Sequence, residues 1–176
     1  TGLVKSLSRP GANITGTSYS SPEAIEKLLQ VLKEVSPKVV RLAFFQNTNR
    51  SYSQFLEIGG EMLRRAANRL GMTLHAFEIS RPEEMSAVLD RIAASRIDAL
   101  LFDGQPLIRQ RLDEIVAFLL ARKLPSVGAI TSFAERGGLL SYAPNEKEFF
   151  DRTASYVDRI LKGAKPADLP VEQPTK

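Results

Sequence analysis

At 176 residues, 43% of them apolar and 25% charged, the chain has the makeup of a globular protein able to bury a core, which excludes a disordered or collagen-like chain. No stretch approaches the roughly eighteen consecutive apolar residues of a bilayer-spanning helix, and the absence of cysteine excludes disulfides, thiolate metal sites and a cysteine nucleophile. The balance of 24 Lys+Arg against 20 Asp+Glu leaves +4, spread along helical stretches instead of gathered in a block, so it reads as the solvated coat of amphipathic helices and not as a nucleic-acid surface.

The first helix is signalled by Ser20, Ser21, Pro22 and Glu23, a hydroxyl cap, an early proline and an acid ahead of Ile25, Leu28, Leu29, Leu32 and Val35 at helical spacing. Pro37 ends it. Residues 39–45 are short, β-prone and apolar on both faces, the pattern of a strand covered by helices on either side. After polar residues 46–54, a helix from Phe55 presents Ile58, Met62, Leu63, Ala66 and Leu70 until Gly71, and residues 73–79 read as the next strand. Ser80, Arg81, Pro82 and Glu83 match a capping box, with Met85, Val88, Leu89 and Ile92 as the apolar stripe behind it.

Residues 99–102 are then a buried strand, and residues 107–122 a helix with Leu112, Ile115, Val116 and Leu119 inward. Residues 126–128 form a short strand, a brief helix starts at Thr131 and stops at Gly137 and Gly138, and residues 139–142 are another strand. Asn145, with Glu148 three residues on, caps a long helix whose Phe149, Phe150, Val157, Ile160 and Leu161 are expected to face inward until Gly163. Strands alternating with helices in this way predict right-handed βαβ units: an α/β fold, a doubly wound parallel sheet with helices on both faces.

Ligands of such sheets gather at the carboxyl ends of the strands, where strand order reverses. Three segments qualify. Asn47, Thr48, Asn49, Arg50 and Ser51 offer amides, hydroxyls and a guanidinium ahead of a helix, suited either to a small polar ligand, a carboxylate above all, or simply to capping the loop. Asp103, Gly104 and Gln105 bring a carboxylate and an amide, with helix capping as the alternative role for Asp103. Ala129 and Thr131 stand at another helix start, beside Phe133, which fits either a ligand or the core.

Catalytic patterns are missing. The sequence contains no G-x-G-x-x-G, G-x-x-x-x-G-K-[ST], G-x-S-x-G or H-E-x-x-H. The single histidine, His75, falls inside a strand, where it reads as a packed or surface residue and not a base. A phospho-acceptor receiver would need acids after its first strand, where Phe44, Phe45, Gln46 and Asn47 stand instead.

Three strings carry a resemblance: LSRPGANITG at 7–16, AERGGLLSYAPN at 134–145, and YVDRILKGAKPADLPVEQPTK at 156–176. In order and spacing they resemble the ABC transporter substrate-binding protein family from end to end. The resemblance implies a periplasmic-binding-protein type I fold, two α/β lobes joined by crossing strands that close on a solute. It implies that the chain is a piece of a longer protein: residues 1–18 a first interlobe crossover, centred on 13–18, residues 19–138 the second lobe, and residues 139–176 a return crossover with a helix and tail of a mostly absent first lobe. It further implies a non-enzymatic solute-binding component without cofactor or metal, a small-molecule solute such as an amino acid, an ABC transporter permease as partner, no nucleic acid, and a periplasmic parent carrying a signal peptide.

Carried over residue by residue, residues 47–51 occupy the family's place for contacts to the solute's charged head, and Asp103, Gly104, Gln105 and residues 129–131 sit at the other ligand-facing loops. The chain departs from the amino-acid-binding pattern at two points. Residues 46–49 replace a simpler Asn-Pro or Asn-Ser turn, and Gly104 and Gln105 stand where a Thr-Asp pair often occurs. The alternative functions are a small-molecule-sensing effector domain of a regulator and, less in keeping with one misplaced histidine, a racemase-like enzyme using Asp103.

Overall fold

A computed structural model describes residues 3–17, 22–48, 53–143 and 145–172. The chain divides into two compact units, one formed by Pro22–Ala143 and the other by Thr1–Ser21 together with Pro144–Lys176.

The larger unit is a parallel sheet wrapped by helices. Its elements run α1 (Pro22–Val35), β1 (Arg41–Asn47), α2 (Ser53–Arg69), β2 (Thr73–Ile79), α3 (Met85–Ala94), β3 (Ala99–Phe102), α4 (Pro106–Gln110), α5 (Leu112–Arg122), β4 (Ser126–Gly128), α6 (Ser132–Glu135) and β5 (Leu140–Ser141). Among the described residues the five strands form one sheet in the order β2-β1-β3-β4-β5, every pair parallel. Strand order therefore reverses between β1 and β3, because the chain builds outward from β1 to β2 and then returns to the other side of β1.

Alternation along the central strands feeds two cores. Leu42, Ala99, Leu101 and Val127 face Leu28, Leu29 and Leu32 of α1 and Leu63, Ala66 and Ala67 of α2. Ala43, Phe45, Leu100 and Phe102 turn the other way, against Met85, Val88, Leu89 and Ile92 of α3, Ile115, Val116 and Leu119 of α5, and Phe133. Strands buried on both faces are apolar at every position, which is why β3 reads Ala-Leu-Leu-Phe with all four residues buried.

Several local expectations change, the strand expected over 139–142 shortening to Leu140–Ser141 and the helix expected from Phe55 starting at Ser53. The first strand begins at Arg41, not at residue 39, because the Asp98 carboxylate accepts the backbone N–H groups of Val40 at 3.0 Å and Arg41 at 2.7 Å. It also continues through Gln46 and Asn47, since pairing with the seven residues of β2 carries it to Ile79. A single 3-10 turn, Pro82–Glu84, precedes α3 and moves the box by one residue. Glu84, not Glu83, takes the Ser80 backbone N–H at 2.8 Å and the Ser80 hydroxyl at 3.0 Å. The helix expected over 107–122 is broken at Arg111, whose φ of −116° and ψ of 18° leave the helical region between α4 and α5. The cap expected on Ser20 and Ser21 lies outside the described residues.

The smaller unit is built on a helix, α7 (Glu146–Leu161), which Asn145 caps by accepting the Glu148 N–H at 3.2 Å. One side of α7 holds the tail. Tyr156 is buried and donates to the Pro170 carbonyl at 2.6 Å, Arg152 pairs with Glu172 at 2.8 Å, and the Thr17 and Thr153 hydroxyls meet at 2.9 Å. Thr17 and Glu172 form a parallel bridge, and the Thr15 hydroxyl donates to the Leu169 carbonyl at 2.6 Å. The inward stripe expected on α7 is corrected: Phe150, Val157 and Leu161 are 65%, 53% and 82% exposed. The residues that meet the tail, Arg152, Thr153 and Tyr156, occupy a different side of the helix from Phe150, Val157 and Leu161.

Candidate functional site

The reversal between β1 and β3 places the ends of these two strands side by side, and three polar side chains meet there. Asn47, the last residue of β1, is only 8% exposed although it is polar. Its Nδ2 donates to Gln105 Oε1 at 2.7 Å, bridging the loops that follow β1 and β3. Gln105 Nε2 in turn donates to Asp103 Oδ2 at 2.6 Å, and the Gln105 backbone N–H approaches Asp103 Oδ1 at 3.3 Å. The carboxylate thus closes a local Asx turn on Gln105 and does not cap α4. Its pKa is raised above the ordinary 3.8 because burial disfavours the charged form, while the two bonds from Gln105 pull the other way.

Gly104 lets the third loop come near. A Cβ there would lie 3.1 Å from the Arg109 guanidinium and 3.2 Å from the Ala129 carbonyl, so the β3 and β4 loops approach at a spacing that a side chain would push apart. Arg109, in α4, donates from Nε to the Gly104 carbonyl at 2.9 Å. The Ala129 N–H donates to the Phe102 carbonyl at 2.9 Å. Below them Phe102 and Phe133 meet edge to face at 4.7 Å, and both are fully buried, so Phe133 is core and supports the site from underneath.

Of the residues expected at the site, Asn47, Asp103, Gly104, Gln105 and Ala129 are therefore brought together. Thr48 is exposed and tied by its backbone N–H to the Ile79 carbonyl at 3.0 Å. Thr131 is exposed at the start of α6, and its carbonyl accepts from the Ser141 hydroxyl at 3.3 Å. Asn49, Arg50 and Ser51 lie outside the described residues. Arg109 went unnoticed in the sequence, where the only cue is an arginine one turn into the helix after the Asp-Gly-Gln turn. His75 stands in the middle of β2, opposite Ala43, away from the strand ends. Among the described residues there is no group of three acids or histidines that could hold a metal ion, and no helix is long and apolar enough to cross a membrane.

The strand order and the polar side chains at its switch point make this a flavodoxin-like doubly wound lobe, the kind from which periplasmic-binding-protein folds are built. The chain belongs to the ABC transporter substrate binding protein family, whose model matches residues 1–176. It is 25% identical over 171 residues to a tyrosine-binding protein of Clostridioides difficile (strain R20291), a match covering 97% of this chain and 48% of that protein. Its structure resembles an ABC domain in complex with L-Trp from Streptococcus pneumonia, with a TM-score of 0.84 and 25% identity over 99% of this chain and 58% of that one. It also resembles a conserved domain protein from Vibrio cholerae O1 biovar El Tor, with a TM-score of 0.83 and 27% identity over 97% of this chain and 56% of that one. The chain spans about half the length of the curated relative it matches.

Proposed function

We propose that this chain forms the second lobe of the solute-binding component of an ABC-type uptake transporter, and that the whole protein captures an amino acid or a related polar or amphipathic solute. The observation that carries the reading is the Asn47–Gln105–Asp103 cluster at the switch point, where this fold binds ligands. The tyrosine-binding relative and the L-Trp complex support an amino acid as the solute. Residues 1–18 would be the first crossover, residues 19–138 the lobe, and residues 139–176 the return with elements of the first lobe. The exposed Phe150, Val157 and Leu161 of α7 are in keeping with a helix that has a further lobe to cover it.

Capture works by closure. A solute that touches both lobes only in the shut state binds that state more tightly, and this difference in affinity shifts the open and closed populations. The closed form is then the one a membrane permease receives, from a periplasmic protein that performs no chemistry on its cargo.

The test is thermal unfolding of the full-length protein with L-tyrosine, L-tryptophan and a wider panel of amino acids. At a concentration near 100 times Kd, a true solute adds about 2.7 kcal/mol to stability, which moves the midpoint by several degrees. No shift with any member of the panel would defeat the amino-acid reading.

A further inference from the structure

We propose that Asp103 is a positioning residue: it fixes the direction of both amides in the Asn47–Gln105–Asp103 chain, and so decides which way round a zwitterionic solute's head group lies at the switch point. The proposal rests on the amino-acid reading above and adds to it the residue that sets orientation.

Donors and acceptors fix the sense of the chain. An ionised carboxylate only accepts hydrogen bonds, whereas an amide presents a donor at one end and an acceptor at the other. With Asp103 Oδ2 2.6 Å from the Gln105 side chain, the amide must turn its NH2 to the carboxylate. Its carbonyl then points at Asn47, which must answer with its own NH2, and does so at 2.7 Å. Rotating the Gln105 amide by half a turn would set its oxygen against the carboxylate and its NH2 against the Asn47 NH2. Two attractions at these distances would become two repulsions. One acid thus determines the sense of two neutral amides in separate loops. Each oxygen of Asp103 already accepts one bond from Gln105, from the side chain on Oδ2 and from the backbone N–H on Oδ1, which ties the acid's influence on the solute to Gln105. Gln105 keeps a second Nε2 hydrogen and a second Oε1 lone pair, each in a direction set by Asp103. An ammonium suits only the oxygen and a carboxylate only the NH2.

The test compares L-tryptophan with tryptamine, which lacks the carboxylate, and indole-3-propionate, which lacks the ammonium, by titration calorimetry on the full-length protein. Its readout is the ratio of the affinities for the two half-heads, which a general loosening of the fold would leave in place. Asp103→Asn is isosteric but can donate as well as accept, so the chain loses its fixed sense and the ratio should move toward unity by about tenfold, the scale of one hydrogen bond to a charged group. In a Gln105→Met background the same Asp103→Asn change should move the ratio by less than about twofold, as expected when one residue acts only through the other. A ratio unchanged by Asp103→Asn overturns the proposal. So does an equal change in the Gln105→Met background, because Asp103 would then act on the solute by its charge directly. Failure of the unaltered protein to bind L-tryptophan, L-tyrosine or any other amino acid defeats the amino-acid reading itself, a separate result from either of these.

Discussion

Gly138 and Phe133 give the most exposed test of how the site's floor is packed. A Cβ on Gly138 would sit 2.3 Å from the Cε2 and Cζ atoms of Phe133 and 2.5 Å from its Cδ2, well inside van der Waals contact. The ring cannot swing clear, because Phe102 meets it edge to face at 4.7 Å and the residue is fully buried. Gly138→Ala is therefore an overpacking change, costing about 1–3 kcal/mol. Phe133→Ala alone leaves a cavity and costs about 3–5 kcal/mol. Independent effects would add to roughly 4–8 kcal/mol, a large part of a typical domain's whole stability. The two are not independent, since removing the ring removes the atoms the new methyl strikes, and that methyl then occupies part of the void. The double variant should cost no more than Phe133→Ala by itself, about 3–5 kcal/mol or less. Urea unfolding of the four proteins measures the cycle. Costs that add to within about 0.5 kcal/mol would refute the contact between these positions.

Three further outcomes follow from hydrogen bonding and burial. Asp98→Ala withdraws the acceptor for the Val40 and Arg41 N–H groups and should cost about 1–3 kcal/mol in urea unfolding, with Asp98→Asn recovering much of it because its amide oxygen still accepts. Glu84 is held down to about 2 from the ordinary 4.5, first by the Ser80 backbone N–H and then by the Ser80 hydroxyl. Its contribution to stability is complete above pH 4.5 and is lost as pH falls through about 2, so acid unfolding of Glu84→Gln should lack that limb. Asp103 has the opposite sign: with its folded pKa above the ordinary 3.8, its ionisation works against folding as pH rises. Stability relative to Asp103→Asn should therefore increase as pH is lowered through the folded pKa toward 3.8, and a constant difference in unfolding curves across that range would contradict the burial argument.

The physics that was local was legible in the sequence. The bounds of β3 match its apolar run, because a strand buried on both faces needs no partner-specific information to be recognised, while those of β2 and β4 follow the Gly71 and Pro125 that precede them. The Asn145 cap likewise depends on one side chain and an N–H three residues on. What escaped were features that residue spacing does not encode, some set across the chain and some within a single turn. Asp98 determines where β1 starts from 57 residues away, and the break at Arg111 interrupts a run whose apolar spacing remains helical on both sides. Glu83 and Glu84 are both acids, and only the inserted 3-10 turn decides which reaches Ser80. On α7 the periodicity marks Phe150, Val157 and Leu161 as apolar, yet periodicity does not say whether an apolar stripe is covered by residues of the same chain. For the site, topology singles out the strand ends and therefore Asn47, Asp103 and Gln105. Their order as donors and acceptors, and the grip of Arg109 on the Gly104 carbonyl, depend on side-chain directions that spacing does not encode.

The strands shorten steadily across the sheet, from seven residues in β2 and β1 to four in β3, three in β4 and two in β5. Such a taper makes backbone amides unequal in their resistance to solvent. The narrow margin at β5 is the place where fraying begins, and deuterium should enter there long before it reaches β1. Asn47 sits at the broad end, in the seven-residue pairing of β1 with β2, so the floor of the candidate site should exchange more slowly than the two-residue border at β5.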